Sequence, residues 1–189
     1  MKSSWTKRCF ILKVVGNRYD DSCTTAIVAA PNPYPTDTGC TGAGAAYVSK
    51  RVNGTWMQEA YLKPPNGGKS DGFGTSVSIS GTTLVIGAPY EDSCSTAVIN
   101  GAGPYPDDKD CNNAGAAYVF SKVDDEWALV AYLKNPNAHR NFFGDSVSID
   151  GDTIVVGCYS ESDCGPVTFE RVGGAWERRP PPLVTSTQA

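Results

Sequence analysis

The chain has 189 residues, a formal net charge of −4, 40% apolar residues and only 19% charged residues. Binding to nucleic acid is not expected, because it needs clustered Lys and Arg and the few basic residues here are scattered. No stretch approaches the roughly 18 to 20 apolar residues that span a bilayer, so no direct membrane insertion is expected. The 20 Gly and 13 Pro are typical of short strands and turns, which predicts an all-β protein.

Residues 1–10 remain unassigned. They have the basic start of a signal peptide, but Lys13 interrupts the apolar run and no small-residue cleavage site follows in good position. Lys13 lies in "ILKVVGNRY", which starts at Ile11 and aligns with "TTLVIGAPY", which starts at Thr82. The sequence therefore gives no convincing signal peptide, and the first clear strand begins at Ile11 as part of a repeat.

The repeat predicts a meander of four strands. In its most complete copy the strands begin at Thr75, Thr82, Gly115 and Glu126, and "SISGTT" supplies a tight turn between the first two. A tryptophan recurs in each copy, and the spacing from Trp56 to Trp127 is longer than the spacing from Trp127 to Trp176. The shorter spacing gives a basic unit of about 49 residues, a period typical of four-stranded antiparallel propeller blades, and the longer one shows an insertion in two copies.

Three units follow from this alignment, with about eleven strands in total. The first unit (residues 11–72) lacks its first strand, the second (73–142) is complete, the third (143–179) is shortened, and residues 180–189 form a Pro-rich tail. Fewer than three blades would leave two apolar end faces of Val, Ile, Tyr and Trp open to water. We therefore expect contact with further blades or self-association.

Cysteines bound both insertions. Cys23 and Cys40 have the same spacing as Cys94 and Cys111, and the third unit loses the insertion together with its second cysteine. This joint loss predicts two local disulfides, because a bridge at the base of such a loop would stabilise it by about 3 kcal/mol. A metal site is the alternative, but there is no Cys-x-x-Cys pair, and the single histidine, His139, lies in a linker.

The other cysteines leave the pairing open. Cys158 and Cys164 either pair or remain thiols, and Cys9 is left over. Disulfides form in oxidising compartments, so we expect an extracellular or cell-surface protein.

Several motifs resemble the FG-GAP repeats of integrin alpha-type β-propellers. Phe73-Gly74 and Phe143-Gly144 match "FG", and residues 87–89 match "GAP"; the first and third units instead have Gly16-Asn17-Arg18 and Gly157-Cys158-Tyr159. The resemblance implies about two and a half four-stranded antiparallel blades, a fragment of a probable seven-bladed propeller. It also implies extracellular placement and a role as a non-enzymatic binding or adhesion scaffold.

Many FG-GAP repeats carry a calcium loop between their first two strands. Such a loop needs several converging oxygen ligands, and this chain offers only Asp145, Asp150 and Asp152 as weak candidates. A tight turn with solvated acids explains these residues better, so we expect no cofactor and no calcium.

An enzyme is the alternative function. Acidic pairs recur at one position of each unit, and a glycosidase uses two carboxylates in a cleft. The pairs are Asp20-Asp21, Glu91-Asp92 and Glu161-Asp163. Because repetition in every unit more often marks a structural turn, a glycan-active enzyme fragment stays second to a binding scaffold, and we expect no enzymatic activity.

The Cys-bounded insertions are the best candidates for recognition. They are rich in Pro, Tyr and Asp and vary while the strands do not, which is typical of binding loops on a rigid scaffold. The candidate residues are Tyr34, Asp37, Tyr105, Asp107 and Asp108. We expect a protein or glycan ligand, whose identity the sequence does not reveal.

Overall fold

The computed structural model describes residues 11–137, 139–159 and 164–180. These ranges contain thirteen β-strands and no helix that is long and apolar enough to cross a membrane. In chain order the strands are β1 (Leu12–Asn17), β2 (Val28–Ala29), β3 (Ala45–Val52), β4 (Thr55–Leu62), β5 (Ser76–Ser80), β6 (Thr83–Ala88), β7 (Ile99–Asn100), β8 (Ala116–Val123), β9 (Glu126–Leu133), β10 (Ser146–Asp150), β11 (Thr153–Gly157), β12 (Val167–Val172) and β13 (Ala175–Arg178). The all-β prediction is confirmed.

The strands form three antiparallel sheets, one for each sequence unit. The order is β1-β3-β4-β2 in the first sheet, β5-β6-β8-β9-β7 in the second and β10-β11-β12-β13 in the third. The first hairpin of the second sheet has the predicted tight turn. Strands β5 and β6 pair from Ser80↔Thr83 to Ser76↔Gly87, and Gly81 in the turn has φ 59°. Only glycine adopts this conformation at little cost.

The first sheet has the same register as the second but lacks one strand. Val14 of β1 faces Val48 of β3, just as Val85 of β6 faces Val119 of β8 at the equivalent positions of the repeat. No described strand of the first sheet corresponds to β5 or β10, so β1 is an edge strand.

The first and second sheets each have one strand that was not predicted, at the edge opposite β1 and β5. The insertions add β2 to the first sheet and β7 to the second, which therefore has five strands. The sequence did not reveal these strands, because two residues are too short to show the alternation that marks a strand.

Apolar side chains hold neighbouring sheets together. One cluster, including Leu62, Phe73 and Ile86, lies between the first and second sheets, and another, including Val119 and Phe169, lies between the second and third. All six residues of β6 are buried, because a sheet packs on each of its faces. Within the described ranges the sheets stack in chain order and do not close into a ring.

Backbone contact between units is very close at the "FG" motifs. The Phe73 N–H donates to the Ala43 carbonyl of the first unit at 3.0 Å, and the Phe143 N–H donates to the Ala114 carbonyl of the second unit at 3.3 Å. A Cβ atom added to Gly87 would lie against the Gly144 carbonyl oxygen. Only glycine permits this approach.

The outward face of the first sheet is more polar than the matching face of the second. Leu84, Phe120 and Leu129 pack against the first sheet, and the equivalent residues of the first unit are Lys13, Ser49 and Gln58. Two apolar side chains on the outward face of the first sheet are exposed to solvent: Val15 is 48% exposed and Trp56 is 45% exposed. The end face is thus mixed rather than wholly apolar as the sequence analysis expected.

Candidate binding surface of the Cys-bounded loops

Disulfides close both insertions at their base. Cys23 joins Cys40 and Cys94 joins Cys111, with a Cα–Cα distance of 4.9 Å in each case. These are the two pairs that the spacing predicts. We call residues 24–39 the first loop and residues 95–110 the second loop.

A third disulfide settles one open pairing. Cys158 joins Cys164, with their Cα atoms 6.1 Å apart. Cys9 lies outside the described residues.

A partly buried carboxylate anchors the first loop. Asp20 accepts hydrogen bonds from the hydroxyls of Tyr47 and Tyr61 at 2.7 and 2.8 Å, and Lys63 Nζ lies 3.5 Å away. Lys63 also donates to the Ser22 carbonyl at 2.6 Å. Burial works to raise the pKa of Asp20, but the tyrosine hydrogen bonds and Lys63 hold it below its ordinary value. The anchor thus favours an ionised Asp20.

The second loop has the same anchor in a more buried form. Lys134 Nζ lies 2.7 Å from Glu91 Oε2, and both side chains are almost entirely inaccessible to solvent. Lys134 also donates to the Ser93 carbonyl at 2.8 Å. Burial lowers the pKa of Lys134, and attraction to Glu91 opposes that shift. The ion pair therefore ties the loop base to the end of β9.

The remaining members of the acidic pairs bind backbone. Asp21 accepts the Gly42 N–H and Asp92 accepts the Asn113 N–H, each at 2.8 Å. All four described acids of the repeated pairs are thus engaged at the loop bases. The pair Glu161-Asp163 lies outside the described residues.

Asp37 and Asp108 also hold their loops closed. Asp108 accepts hydrogen bonds from Ser93 Oγ at 2.9 Å and the Cys94 N–H at 2.7 Å, and Asp37 makes the same contacts with Ser22 and Cys23. In both carboxyls the hydrogen bond from the cysteine N–H is the main influence that lowers the pKa. Each of the two acids therefore ties one end of its loop to the other.

The loop tyrosines pack against the sheets. The Tyr34 ring lies 5.0 Å from Tyr47, and the Tyr105 ring lies 6.0 Å from Tyr132. The Tyr105 hydroxyl donates to the Gly101 carbonyl. Burial raises the pKa of both Tyr34 and Tyr105. Of the five predicted loop residues, Asp107 alone is exposed without a hydrogen bond or ion pair to any residue that the structure describes.

The two loops meet across the seam between units. Thr25 and Ile27 of the first loop and Ala102 and Tyr105 of the second line a cavity of about 270 Å³. Asn66 of the linker donates to the Pro106 carbonyl at 2.7 Å. The first and second loops thus form one continuous surface, with exposed positions that include residues 29–33, 36–39, 100–102 and 107.

The weak calcium candidates are not brought together. Asp145 and Asp150 are exposed, and Asp152 accepts a hydrogen bond from Arg171 Nε at 2.6 Å. In the parts of the chain with a described structure, no group of three or more His, Cys, Asp or Glu side chains is placed to hold a metal ion.

Sequence reasoning missed the lysines of the loop bases. Lys63 and Lys134 lie in the repeated motifs "AYLKPPN" and "AYLKNPN", where an alternating strand pattern ends in a charged residue. Their recurrence at the end of the same strand in two units, beside a repeated acid, is the signal that could have identified them as an ion-paired anchor.

The disulfide of the second loop should contribute strongly to stability. We expect Cys94→Ser with Cys111→Ser to lower the free energy of unfolding by about 3 kcal/mol, because the bridge restricts the unfolded chain. Urea unfolding of the oxidised protein measures this difference. Non-reducing peptide mapping is the control, and recovery of all four loop cysteines as thiols would contradict both the pairing and the oxidising compartment.

Asp71 gives the chain an unusual dependence on pH. It is 2% exposed, and Lys109 of the second loop lies 3.5 Å from it, yet burial raises its pKa to about 6. The unfolded value is about 3.9. A carboxyl with a raised folded pKa stabilises the fold below the unfolded pKa, and this contribution is lost as pH rises through about 6.

We therefore expect Asp71→Asn to raise the free energy of unfolding at pH 7 by about 1 to 2 kcal/mol. Asn141 already occupies the equivalent position before the third unit: Tyr159 N–H binds the Asn141 carbonyl as Tyr90 N–H binds that of Asp71. Urea unfolding at pH 4, 5, 6 and 7 measures the effect. If wild type and variant show the same slope between pH 4 and 7, Asp71 does not titrate as stated.

Two segments of the chain match a known family of repeats. The model of the FG-GAP repeat family matches residues 56–102 and 134–168. These segments include the first strands of the second unit and the first half of the third unit. No curated protein matches the sequence.

Proposed function

We propose that the chain, two segments of which match the FG-GAP repeat family, is an extracellular or cell-surface module that binds a protein or glycan through the first and second loops. FG-GAP repeats are typically extracellular adhesion or binding modules, and three disulfides fit an oxidising compartment. The observation that carries the proposal is the shared loop surface: each loop is pinned at its base and has several exposed positions. Such loops present side chains without the entropy cost of ordering a free segment.

The scaffold in this proposal is part of a β-propeller. The three sheets correspond to about two and a half blades, and the family points to a parent of about seven. Sheets that stack face to face in chain order, each meandering outward from an inner strand, support this architecture.

The proposed module has no enzymatic activity, as is general in the family. The described acidic pairs support this, because each acid is held by a lysine, a tyrosine hydroxyl or a backbone N–H. A glycosidase needs one protonated and one ionised carboxyl facing a common cleft. The hydrogen bonds that lower the pKa of Asp20 favour its ionised form, which is unsuited to a general acid.

Binding is tested with the oxidised full chain and a panel of immobilised extracellular glycans and matrix proteins. We expect at least one member to bind, and the double variant Asn32→Ala with Asp107→Ala to weaken that binding at least tenfold, which is about 1.4 kcal/mol. Asn32 and Asp107 are exposed tips of the two loops. Asp150→Ala, an exposed change outside the loops, is the matched control.

No binding to any panel member, or equal binding by the loop variant and wild type, would contradict the proposal. Loss of binding in the Asp150→Ala control would move the site away from the loops.

Contact with further blades or with a second copy belongs to the same proposal. The open face of the first sheet carries Val15 and Trp56, but Lys13, Ser49 and Gln58 interrupt it. Less apolar area is then available than between the first and second sheets, so association should be weak. Light scattering coupled to size exclusion should show a mass that rises with concentration; a constant 20.0 kDa would contradict self-association.

A further inference from the structure

A polar cavity is lined by residues of both the first and the second unit, beside the short strand β2. It has a volume of about 390 Å³, which lies within the range of roughly 300 to 1,000 Å³ typical of small-molecule sites. We call this cavity the edge pocket. Its lining includes Ala29 and Ala30 of the first loop, Glu59 of β4, Lys122 of β8, Asp125, and Trp127 of β9.

Two side chains of the edge pocket each have a buried polar atom without a hydrogen-bond partner among the described residues. Glu59 is 8% exposed, and its Oε2 atom accepts no hydrogen bond within that part of the chain. Trp127 is also 8% exposed, and its Nε1 N–H has no acceptor there. Buried polar groups are nearly always paired, because an unmade hydrogen bond lowers stability. An acceptor and a donor left over in the lining of one cavity therefore indicate a ligand that pairs with both.

Lys122 adds a charged donor to the edge pocket. Its Nζ atom contacts Glu59 Oε1, lies 3.0 Å from Asp125 Oδ1 and lies 5.8 Å from the centre of the Trp127 ring. Burial works to lower the pKa of Lys122, but the hydrogen bonds to Glu59 and Asp125 hold it above its ordinary value. An ammonium group has three N–H donors, so one remains for a ligand. Because Glu59 and Lys122 neutralise each other, the edge pocket suits a neutral ligand.

The matching place between the second and third sheets is occupied by a side chain. There Asn100 Nδ2 donates to the Trp176 carbonyl at 3.0 Å, and Asn100 Oδ1 accepts the Trp176 N–H at 2.7 Å. In the repeat alignment Ala29 matches Asn100, and Glu59 matches Val130. The first unit thus lacks the side chain that fills this place and has a carboxylate where the second unit has an apolar residue. The edge pocket is a feature of one junction and not a general property of the repeat.

We propose that the edge pocket binds one neutral sugar residue of a glycan through adjacent hydroxyl groups. The hydroxyls donate to Glu59 Oε2 and accept from the Trp127 N–H and the remaining N–H of Lys122. A hydroxyl donates and accepts at one atom, whereas the amide of a peptide side chain divides these roles between two atoms. Adjacent hydroxyls on one ring therefore match this lining better than an amide does. The inference rests on the proposed function for the glycan class and assigns that class to a cavity beside the first loop.

The probes are the methyl glycosides of glucose, galactose and mannose. Each is titrated into the oxidised full chain, and the indole N–H signals are followed by heteronuclear NMR. The Trp127 signal is identified by its loss in Trp127→Phe. We expect at least one glycoside to shift the Trp127 signal saturably. No saturable shift with any of the three overturns the proposal.

Variants test the lining by isothermal titration calorimetry with the glycoside that binds. Trp127→Phe keeps the ring and removes the N–H, so it should weaken binding about tenfold or more without lowering the melting temperature. Ala29→Asn should abolish binding by filling the cavity as Asn100 fills the matching place. Trp56→Phe changes the matching tryptophan of the first unit, outside the edge pocket, and is the control. Equal affinity of Trp127→Phe and Trp56→Phe overturns the proposal.

Two further measurements separate this inference from the proposed function and from a peptide ligand. Asn32→Ala with Asp107→Ala should bind the glycoside as tightly as wild type. If no glycoside binds while the loops bind a protein, only the edge pocket is wrong; if a glycoside binds while no panel member depends on the loops, only the loop surface is wrong. A saturable Trp127 shift with acetamide and with no glycoside would assign the cavity to a peptide amide and overturn the proposal.

Discussion

Replacing Lys134 with methionine is expected to lower the free energy of unfolding by about 3 to 5 kcal/mol. The change leaves the Glu91 carboxylate buried and without its counter-charge, and an uncompensated buried charge is strongly destabilising. The second loop should also loosen, because Lys134 holds the Ser93 carbonyl beside the Cys94–Cys111 disulfide. Urea unfolding followed by Trp fluorescence measures the loss.

The double variant Glu91→Gln with Lys134→Met is the matched control. It removes both charges, so it should recover much of the loss, since replacing a buried ion pair by neutral groups is often close to neutral. Asp152→Asn breaks an exposed pair with Arg171 and should cost less than about 1 kcal/mol. A loss below about 1 kcal/mol in Lys134→Met would show that the pair is not the anchor described above.

Gly87→Ala is expected to cost about 3 kcal/mol or more. The new methyl group would lie against the Gly144 carbonyl oxygen, which is backbone and cannot rotate away. Overpacking usually costs about 1 to 3 kcal/mol, and more where the neighbour cannot move. The second and third sheets would have to separate at the point where Phe143 begins the third unit, which would weaken the whole cluster between them.

Gly157→Ala tests the same position where no further sheet among the described residues packs against it. An added methyl group at Gly157 would meet the Ser146 side chain, which can change its rotamer. We expect Gly157→Ala to cost less than Gly87→Ala, by about 1 kcal/mol or more, in thermal or urea unfolding. Equal costs would mean that the clash within the sheet, and not the approach of the next unit, decides the requirement for glycine.

Much of the fold can be predicted from the sequence because the same pattern of strands and turns recurs in the three units. The strands of the second unit and the turn at Gly81 follow from local alternation and turn chemistry. The similarity to FG-GAP repeats follows from the "FG" and "GAP" motifs, and the family model matches residues 56–102 and 134–168. The short strands β2 and β7 could not be predicted, because they exist only through pairing with Ala60 and Ala131 across the loop.

The candidate site was predictable in position but not in detail. The cysteine spacing identifies the loops and their closure. Tyr34, Asp37, Tyr105 and Asp108 read as ligand-binding residues because they are polar or aromatic and lie in loops. In the structure Asp37 and Asp108 accept hydrogen bonds at the bases of their own loops, and Tyr34 and Tyr105 pack against tyrosines of the sheets. A closed loop uses its own acids to satisfy its backbone N–H groups.

The polar face of the first sheet means that the units are not interchangeable building blocks. A chain rearranged so that the first unit followed the second would place the Lys13 ammonium where Leu84 now packs, and Gln58 where Leu129 packs. Burying that charge without a partner would cost several kcal/mol. Units with nearly identical strands are thus restricted to one position in the stack by a few side chains on one face. Duplication of the gene segment alone would not extend this protein at its first sheet.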